Sequence, residues 1–143
     1  LVHLRGDEGD EASRLTLMLP EPKAKLWPYQ EEAVRFLGNR ERDSAGVGCR
    51  GLLLCDEMGL GKTLETLTYV YRDLQRRQRE TGRRFNGVSL IVIPGVLLET
   101  WTREIEVSFP ANSIHYMTMM GDKAPVPDIS QVVHCTDIIF TTY

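Results

Sequence analysis

Apolar residues along the chain follow two kinds of pattern. Short, unbroken apolar runs are typical of strands buried on both faces of a sheet, and they occur at 51–55, 90–93 and 138–140. A more mixed run at 114–119 predicts a further strand. Between the runs, apolar residues recur at helical spacing and predict helices over 28–38, 64–79 and 97–110. Strands that alternate with helices in this way predict an α/β fold, with a parallel sheet and helices on both of its faces.

The first 19 residues differ from the rest of the chain. They contain few large apolar side chains and carry the acidic residues Asp7, Glu8, Asp10 and Glu11. We interpret residues 1–19 as a loosely ordered acidic leader and expect order to begin near Leu26. Residues 20–143 have the length of a single domain. Because the chain lacks an initial Met and stops just after an apolar run, the sequence indicates part of a longer protein.

One Gly-rich segment carries a recognisable binding chemistry. It lies directly between a predicted buried strand and a predicted helix, and reads Asp56-Glu57-Met58-Gly59-Leu60-Gly61-Lys62-Thr63. Glycines let backbone N–H groups turn inward around a polyphosphate, and the following helix presents its positive dipole end. The lysine of such a loop reaches the β- and γ-phosphates, and the hydroxyl binds Mg²⁺. The sequence therefore predicts a nucleotide-binding loop, with Asp56 where the strict pattern has glycine.

Composition and charge exclude several other classes of protein. The 143 residues include 17 basic and 20 acidic side chains, a net charge of −3, and 42% are hydrophobic. These values exclude a wholly disordered or collagen-like chain, and no apolar run is long enough to span a bilayer. The three cysteines and three histidines have no disulfide or metal-ligand spacing. Any contact with nucleic acid must therefore depend on local residues, because the chain as a whole is not basic.

Four segments, taken in order, resemble the Swi/Snf family of helicase-related, DNA-dependent ATPases. Residues 56–63 are similar to motif I of that family, and residues 26–30 are similar to the Pro-Tyr-Gln segment that precedes it. Residues 90–104 resemble motif Ia, and residues 137–143 resemble the strand shortly before motif II. The resemblance covers residues 26–143.

The resemblance implies a P-loop NTPase fold, the RecA-like lobe, present here in incomplete form, with ATP and Mg²⁺ as ligands. Lys62 is the implied catalytic residue, and the Thr63 hydroxyl is the implied ligand of the Mg²⁺ that accompanies ATP. Gln30 is implied to read the adenine edge. The implied nucleotide-binding residues are Gln30, Asp56, Glu57, Met58, Gly59, Leu60, Gly61, Lys62 and Thr63. Gly95, Thr141 and Thr142 are the implied DNA contacts.

For the complete protein, the resemblance implies ATP hydrolysis that drives movement on double-stranded DNA. Chromatin remodelling or DNA repair in the nucleus, with DNA or nucleosomes as partners and no membrane, is the implied setting. Motif II and a second RecA-like lobe with an arginine finger are expected to follow Tyr143. An arginine finger alone contributes about 10³–10⁵ in rate, so residues 1–143 alone are expected not to turn over ATP. Two departures from the family are Glu65, where Gln is more usual, and Pro94-Gly95-Val96, which lacks the usual Ser of motif Ia.

Two alternatives to this function remain open. One is a different superfamily-two enzyme, either a true helicase or a restriction-type translocase, which the sequence of motif II would distinguish. The other is a truncated product that binds a nucleotide or a partner without hydrolysis. In folds of the resembled kind the phosphate-loop strand pairs with the motif II strand, so we expect the isolated chain to expose sheet edges and aggregate.

Two further patterns have both a functional and a structural interpretation. Six arginines against two acids form a basic stretch between residues 72 and 84. A phosphate-binding patch and a solvated helix end both fit, and the absence of interleaved aromatic residues favours the helix end. Trp101, at helical spacing, is predicted to belong to the core and not to a base-stacking surface.

Overall fold

The computed structural model of the chain describes residues 19–43, 51–82, 87–121, 132 and 135–143. Three α-helices and three strands lie wholly in these ranges, together with one 3₁₀ turn that precedes the third helix. Val132 and Cys135 are also helical. In chain order they are α1 (Pro28–Asp43), α2 (Lys62–Thr81), β1 (Ser89–Val92), the 3₁₀ turn (Gly95–Leu97), α3 (Leu98–Ser108), β2 (Tyr116–Met119) and β3 (Ile138–Thr141).

The three strands form one parallel sheet in the order β1-β3-β2. Leu90 of β1 and Met117 of β2 both align with Ile139 of the central strand. Parallel neighbours require crossover connections, and α3 lies in the stretch of chain that connects β1 to its neighbour β3. The predicted α/β fold with a parallel sheet is therefore confirmed.

The prediction of a buried strand over residues 51–55 is wrong. This segment forms no strand, and the side chain of Leu53 is 90% exposed. An apolar run is buried on both faces only when strands flank it and helices cover it. The three described strands pair only with one another, which leaves this segment outside the described sheet.

The core lies between one face of the sheet and the helices α2 and α3. Tyr71, Phe109 and Phe140 are fully buried, and the rings of Tyr71 and Phe109 lie 5.1 Å apart between centroids. Trp101 packs edge-on against Phe140 with a centroid distance of 6.1 Å, which confirms its predicted core position. On the opposite face, Leu90 is exposed, so the described helices cover only one face.

Helix α1 continues beyond its predicted end. The prediction placed the end at Gly38 and a loop over residues 39–48, but residues 39–43 are helical. One glycine inside a helix costs only about 1 kcal/mol, and the packing of α1 against α2 offsets that cost. The remainder of the predicted loop, residues 44–48, lies outside the described residues.

Order also begins earlier in the chain than predicted. The backbone N–H of Leu19 donates to Gln78 Oε1 at 3.0 Å, and the hydroxyl of Tyr71 donates to the carbonyl of Pro20 at 2.7 Å. The N–H of Lys23 donates to the carbonyl of Ser108. The segment before α1 is therefore held against α2 and α3 from Leu19 onward, and not from Leu26. The rest of the predicted leader, residues 1–18, lies outside the described residues.

The outer edge of β1 supports the prediction of self-association. Leu90 and Val92 on this strand are 64% and 51% exposed, and β1 is an edge of the described sheet. We expect residues 1–143 expressed alone to self-associate with rising concentration, and Val92→Lys to suppress this, because an edge lysine opposes strand pairing. Size-exclusion chromatography with light scattering measures the effect. Val107→Lys on α3, also at an exposed valine, is the control, and equal suppression by both variants would contradict edge pairing.

Candidate nucleotide-binding site

The Gly-rich segment forms a tight loop that ends at the N-terminus of α2. Gly59 and Gly61 have φ angles of 92° and 89°, a region that residues with a Cβ rarely adopt. Gly61 is also the N-cap of α2, and no side chain caps this end of the helix. The first N–H groups of a helix have no partner within it, so the loop presents uncapped donors and a positive dipole end at one point.

The ammonium group of Lys62 lies inside this loop. Its Nζ donates to the backbone carbonyl of Asp56 and to that of Glu57, both at 2.7 Å. Because α2 begins at Lys62, the cation and the helix N-terminus reinforce one another as a site for an anion. The turn and the helix after it are those that the sequence predicted, but the strand predicted before them is absent. Phosphate binding by residues 56–63 stays a prediction.

Gln30 braces the loop from the first turn of α1. Its side chain is 3% exposed. Its Oε1 accepts from the N–H of Trp27 at 2.9 Å, and its Nε2 donates to the carbonyl of Leu60 at 3.0 Å. The hydroxyl of Tyr29 donates to the same carbonyl at 3.1 Å. Gln30 therefore joins α1 to the loop through one hydrogen bond at each end of its amide. Its predicted contact with adenine stays a prediction.

The role of Tyr29 in this brace was missed by the sequence analysis. Its signal was present in the Pro-Tyr-Gln segment, where Tyr29 precedes the predicted adenine-reading residue. The spacing alone did not indicate that both side chains hold the carbonyl of Leu60.

Glu65 is the unexpected member of the site. It lies in the first turn of α2 and is completely buried. When its carboxyl group is ionised, neither carboxylate oxygen has a hydrogen-bond partner. Burial raises the pKa of Glu65, and the neighbouring carboxylate of Asp56 raises it further, while Lys62 lowers it. Asp56 becomes a hydrogen-bond partner of Glu65 only when one of the two carboxyl groups holds a proton.

Replacement of Glu65 by glutamine should stabilise the protein. The amide of Gln has the same shape, carries no charge and can donate to the Asp56 carboxylate, so we expect a gain of roughly 1–3 kcal/mol in the free energy of unfolding. The raised pKa means that the native state binds more protons than the unfolded state above pH 4.5, the ordinary value for this carboxyl. The free energy of unfolding of the wild type therefore falls as the pH rises from 4.5 through the raised pKa of Glu65. The stability advantage of Glu65→Gln over the wild type grows across the same range.

Denaturant unfolding of both proteins at pH 4.5 and pH 8 measures this difference. Glu99→Gln is the matched control, since Glu99 is an exposed acid in the first turn of α3. Losing it removes a favourable interaction of about 0.3–1 kcal/mol with the helix dipole, so the control should gain nothing. A Glu65→Gln variant that is no more stable than wild type at pH 8 would contradict the prediction, because it would show that the buried carboxylate does not destabilise the native state.

The remaining predicted nucleotide-binding residues lie around the same loop. Met58 and Leu60 are exposed at 98% and 40%, and Thr63 is half-buried in the first turn of α2. The described residues contain no cluster of three His, Cys, Asp or Glu side chains that could hold a metal. Mg²⁺ commonly takes only one or two protein ligands and otherwise binds water and phosphate oxygens. A single hydroxyl from Thr63 fits that chemistry.

The predicted DNA-binding residues lie near the carboxyl ends of β1 and β3. A Cβ at Gly95 would be 3.8 Å from Cγ2 of Thr142, so these two residues are neighbours. The hydroxyl of Thr141 donates to the carbonyl of Met119 at 2.8 Å. A hydroxyl has only one proton to donate, and that of Thr141 is already used in the bond to Met119. Thr142 is therefore the better candidate to donate to a phosphate oxygen.

Two arginines of the basic stretch form ion pairs along α2, and the choice between a solvated helix end and a phosphate-binding patch stays open. Arg76 pairs with Asp73 and Glu80, and Arg77 also pairs with Asp73. Arg83 and Arg84 lie outside the described residues.

No helix in the part of the chain that the structure describes is long and apolar enough to cross a membrane.

Comparison with known proteins gives a consistent family assignment. The family described as "SNF2-related domain" matches residues 29–143. The "TATA-binding protein-associated factor mot1" of Aspergillus fumigatus is 35% identical over 127 residues, which covers 85% of this chain and 6% of that protein.

Two relatives have names that refer to DNA repair. The mouse "DNA repair and recombination protein RAD54B" is 32% identical over 114 residues, covering 80% of this chain and 13% of that protein. The human "DNA excision repair protein ERCC-6" is 30% identical over 127 residues, covering 83% of this chain and 8% of that protein. The chain therefore spans only a small part of the length of these relatives.

Proposed function

Because the chain belongs to the SNF2-related domain family, we propose that it is the ATP-binding portion of a DNA-dependent ATPase. In the full-length protein, ATP hydrolysis would drive movement along double-stranded DNA without separation of the strands. The observation that carries this proposal is the position of the Lys62 ammonium, held by two carbonyls of the Gly-rich loop at the start of α2.

The chain's own groups have distinct roles in this proposal. The backbone N–H groups of the loop and of the first turn of α2 bind the phosphates, and Lys62 neutralises charge on the β- and γ-phosphates. Gln30 orients the adenine. Its amide has a second N–H group to donate and a second oxygen lone pair to accept with, in addition to the two that bond Leu60 and Trp27. Lys62 is the catalytic residue of this set.

Mg²⁺ enters the proposal through Thr63. Its hydroxyl would hold the ion together with phosphate oxygens, and the ion would neutralise charge that develops during phosphoryl transfer. The requirement for a second RecA-like lobe, in the same longer chain, follows from the same chemistry, because an arginine finger has to reach the γ-phosphate.

The proposal that the protein acts on DNA is supported by the names of its relatives and by the residues at the carboxyl ends of β1 and β3. The printed names of the relatives refer to a TATA-binding protein-associated factor, to DNA repair and recombination, and to DNA excision repair. We extend from these to a nuclear protein that acts on DNA or nucleosomes. Gly95 and Thr142 are the proposed DNA contacts, and Thr141 is a weaker one because its hydroxyl is engaged with Met119.

The decisive experiment uses the full-length protein. ATP hydrolysis is measured with Mg²⁺ in the absence of DNA, with single-stranded DNA and with duplex DNA, and movement is followed by displacement of a third strand from a triplex. We expect duplex DNA to stimulate hydrolysis and the triplex strand to be released while the duplex remains intact.

Each alternative predicts a different result in the same assays. Separation of the duplex strands would identify a true helicase instead. Binding of ATP without hydrolysis under any DNA condition would identify a non-catalytic nucleotide-binding protein. Failure to bind ATP at all would overturn the assignment of the loop itself.

A further inference from the structure

A cleft between α1 and α2 lies apart from the phosphate loop. Its volume is about 320 Å³, and Arg35 from α1 lines it together with Arg72, Arg76 and Arg79 from α2. Along α2 these three arginines recur at intervals of four and three residues, which places them on one face of the helix over a length of about 10 Å. Arginines therefore line both walls of the cleft.

Two of the four arginines are fixed by ion pairs. Arg72 forms a two-pronged pair with Glu31, with N–O distances of 2.6 and 2.8 Å, and Arg76 pairs with Asp73 and Glu80. These pairs hold the guanidinium groups in place but still leave each with donors to spare, because a guanidinium has five N–H bonds.

The other two arginines are available for a ligand. Arg35 and Arg79 are exposed and form no ion pair at contact distance within the described ranges of the chain. Arg35 does lie near enough to Glu31 to help lower the pKa of that carboxyl. Among the lining residues, four arginines stand against the carboxylates of Glu31 and Asp73, an excess of two positive charges. Guanidinium groups recognise phosphate through paired N–H donors, so the chemistry of the cleft suits a multiply charged phosphate anion.

We propose that this arginine cleft binds a small polyphosphate, a free anion with two or more linked phosphate groups, through Arg35 and Arg79. A nucleic-acid backbone suits it less well. Nucleic acid binds through bases stacked on aromatic rings as well as through its phosphates, and the lining aromatic residue, Tyr69, is half-buried and offers little surface for stacking.

The cleft is separate from the predicted nucleotide site. Arg79 lies 17 residues after Lys62 on the same continuous helix, which corresponds to about 25 Å along the helix axis. A compact anion bound at Arg79 therefore cannot also contact the Gly-rich loop. The two sites can be tested independently in one protein.

The test titrates sodium tripolyphosphate into the full-length protein by isothermal calorimetry, in a Lys62→Ala background that weakens binding at the phosphate loop. Adding Arg35→Gln and Arg79→Gln together should weaken the remaining binding at least tenfold. The matched control, Lys23→Gln with Arg103→Gln, removes two positive charges from exposed positions outside the cleft and should change the affinity by less than twofold. Lysine at positions 35 and 79 keeps the charge but loses the paired donors, and should give an intermediate affinity.

Three results would overturn the proposal. The first is no binding of tripolyphosphate to the Lys62→Ala protein, and the second is equal affinity of the cleft and control variants for it. In the third, the cleft variant would lose affinity for a 20-base-pair DNA duplex and keep it for tripolyphosphate, which would identify a nucleic-acid contact. None of these results depends on ATP hydrolysis, so failure of the cleft and failure of the proposed ATPase are distinguishable.

Discussion

We expect Lys62→Ala to reduce DNA-stimulated ATP hydrolysis by the full-length protein to background. The Lys62 ammonium donates to the carbonyls of Asp56 and Glu57, so it already lies within the loop that would surround the phosphates. Removal of one group that stabilises developing charge costs about 10²–10³ in rate. Steady-state hydrolysis with saturating duplex DNA measures the loss, and direct titration of ATP measures the accompanying loss of affinity.

A matched lysine variant separates the local effect from a general change in charge. Lys23 is exposed, and in the described structure its backbone N–H, not its side chain, makes the contact with Ser108. Lys23→Ala should therefore hydrolyse ATP at the wild-type rate. Hydrolysis by Lys62→Ala at the rate of Lys23→Ala would exclude Lys62 from catalysis and, with it, the interpretation of the Gly-rich loop.

Much of the fold could be predicted from the sequence, because the apolar pattern reports which residues enter a core. The helices and the three parallel strands were predicted from that pattern, and the predicted core residue Trp101 packs against Phe140. The strand predicted at 51–55 fails for a related reason. Apolar content shows that a segment can be buried, but only a neighbouring strand makes it part of a sheet.

The details of the candidate site were harder to predict, because they depend on contacts between segments far apart in the chain. The loop at 56–63 was predicted from its glycines and lysine, whose chemistry is local. Gln30 and Leu60 are 30 residues apart, and no spacing rule predicts that their hydrogen bond joins α1 to the loop. The burial of Glu65 was missed for the same reason, since a carboxyl in a first helical turn is ordinarily solvated.

That long-range contact makes Gly61 the most constrained glycine of the loop. A Cβ at this position would lie 2.4 Å from Nε2 of Gln30, in addition to the strain of a φ angle of 89°. We expect Gly61→Ala to displace the Gln30 side chain, lose its hydrogen bonds to Leu60 and Trp27, and lower the stability of the loop by roughly 2–4 kcal/mol. Fluorescence titration of a labelled ATP analogue should show an affinity at least tenfold lower.

Gly59 supplies a control with a similar φ angle and open space around an added Cβ. Its φ angle is 92°, but a Cβ there would meet nothing within 4 Å, so Gly59→Ala should cost only the backbone strain, about 1–2 kcal/mol. The double variant Gln30→Ala with Gly61→Ala then isolates the contact, because neighbouring substitutions that share one interaction are not additive. In the Gln30→Ala background, Gly61→Ala should cost no more than Gly59→Ala does in wild type. If the full cost of Gly61→Ala persisted without Gln30, backbone strain alone would account for it, and Gln30 would not be a brace of the loop.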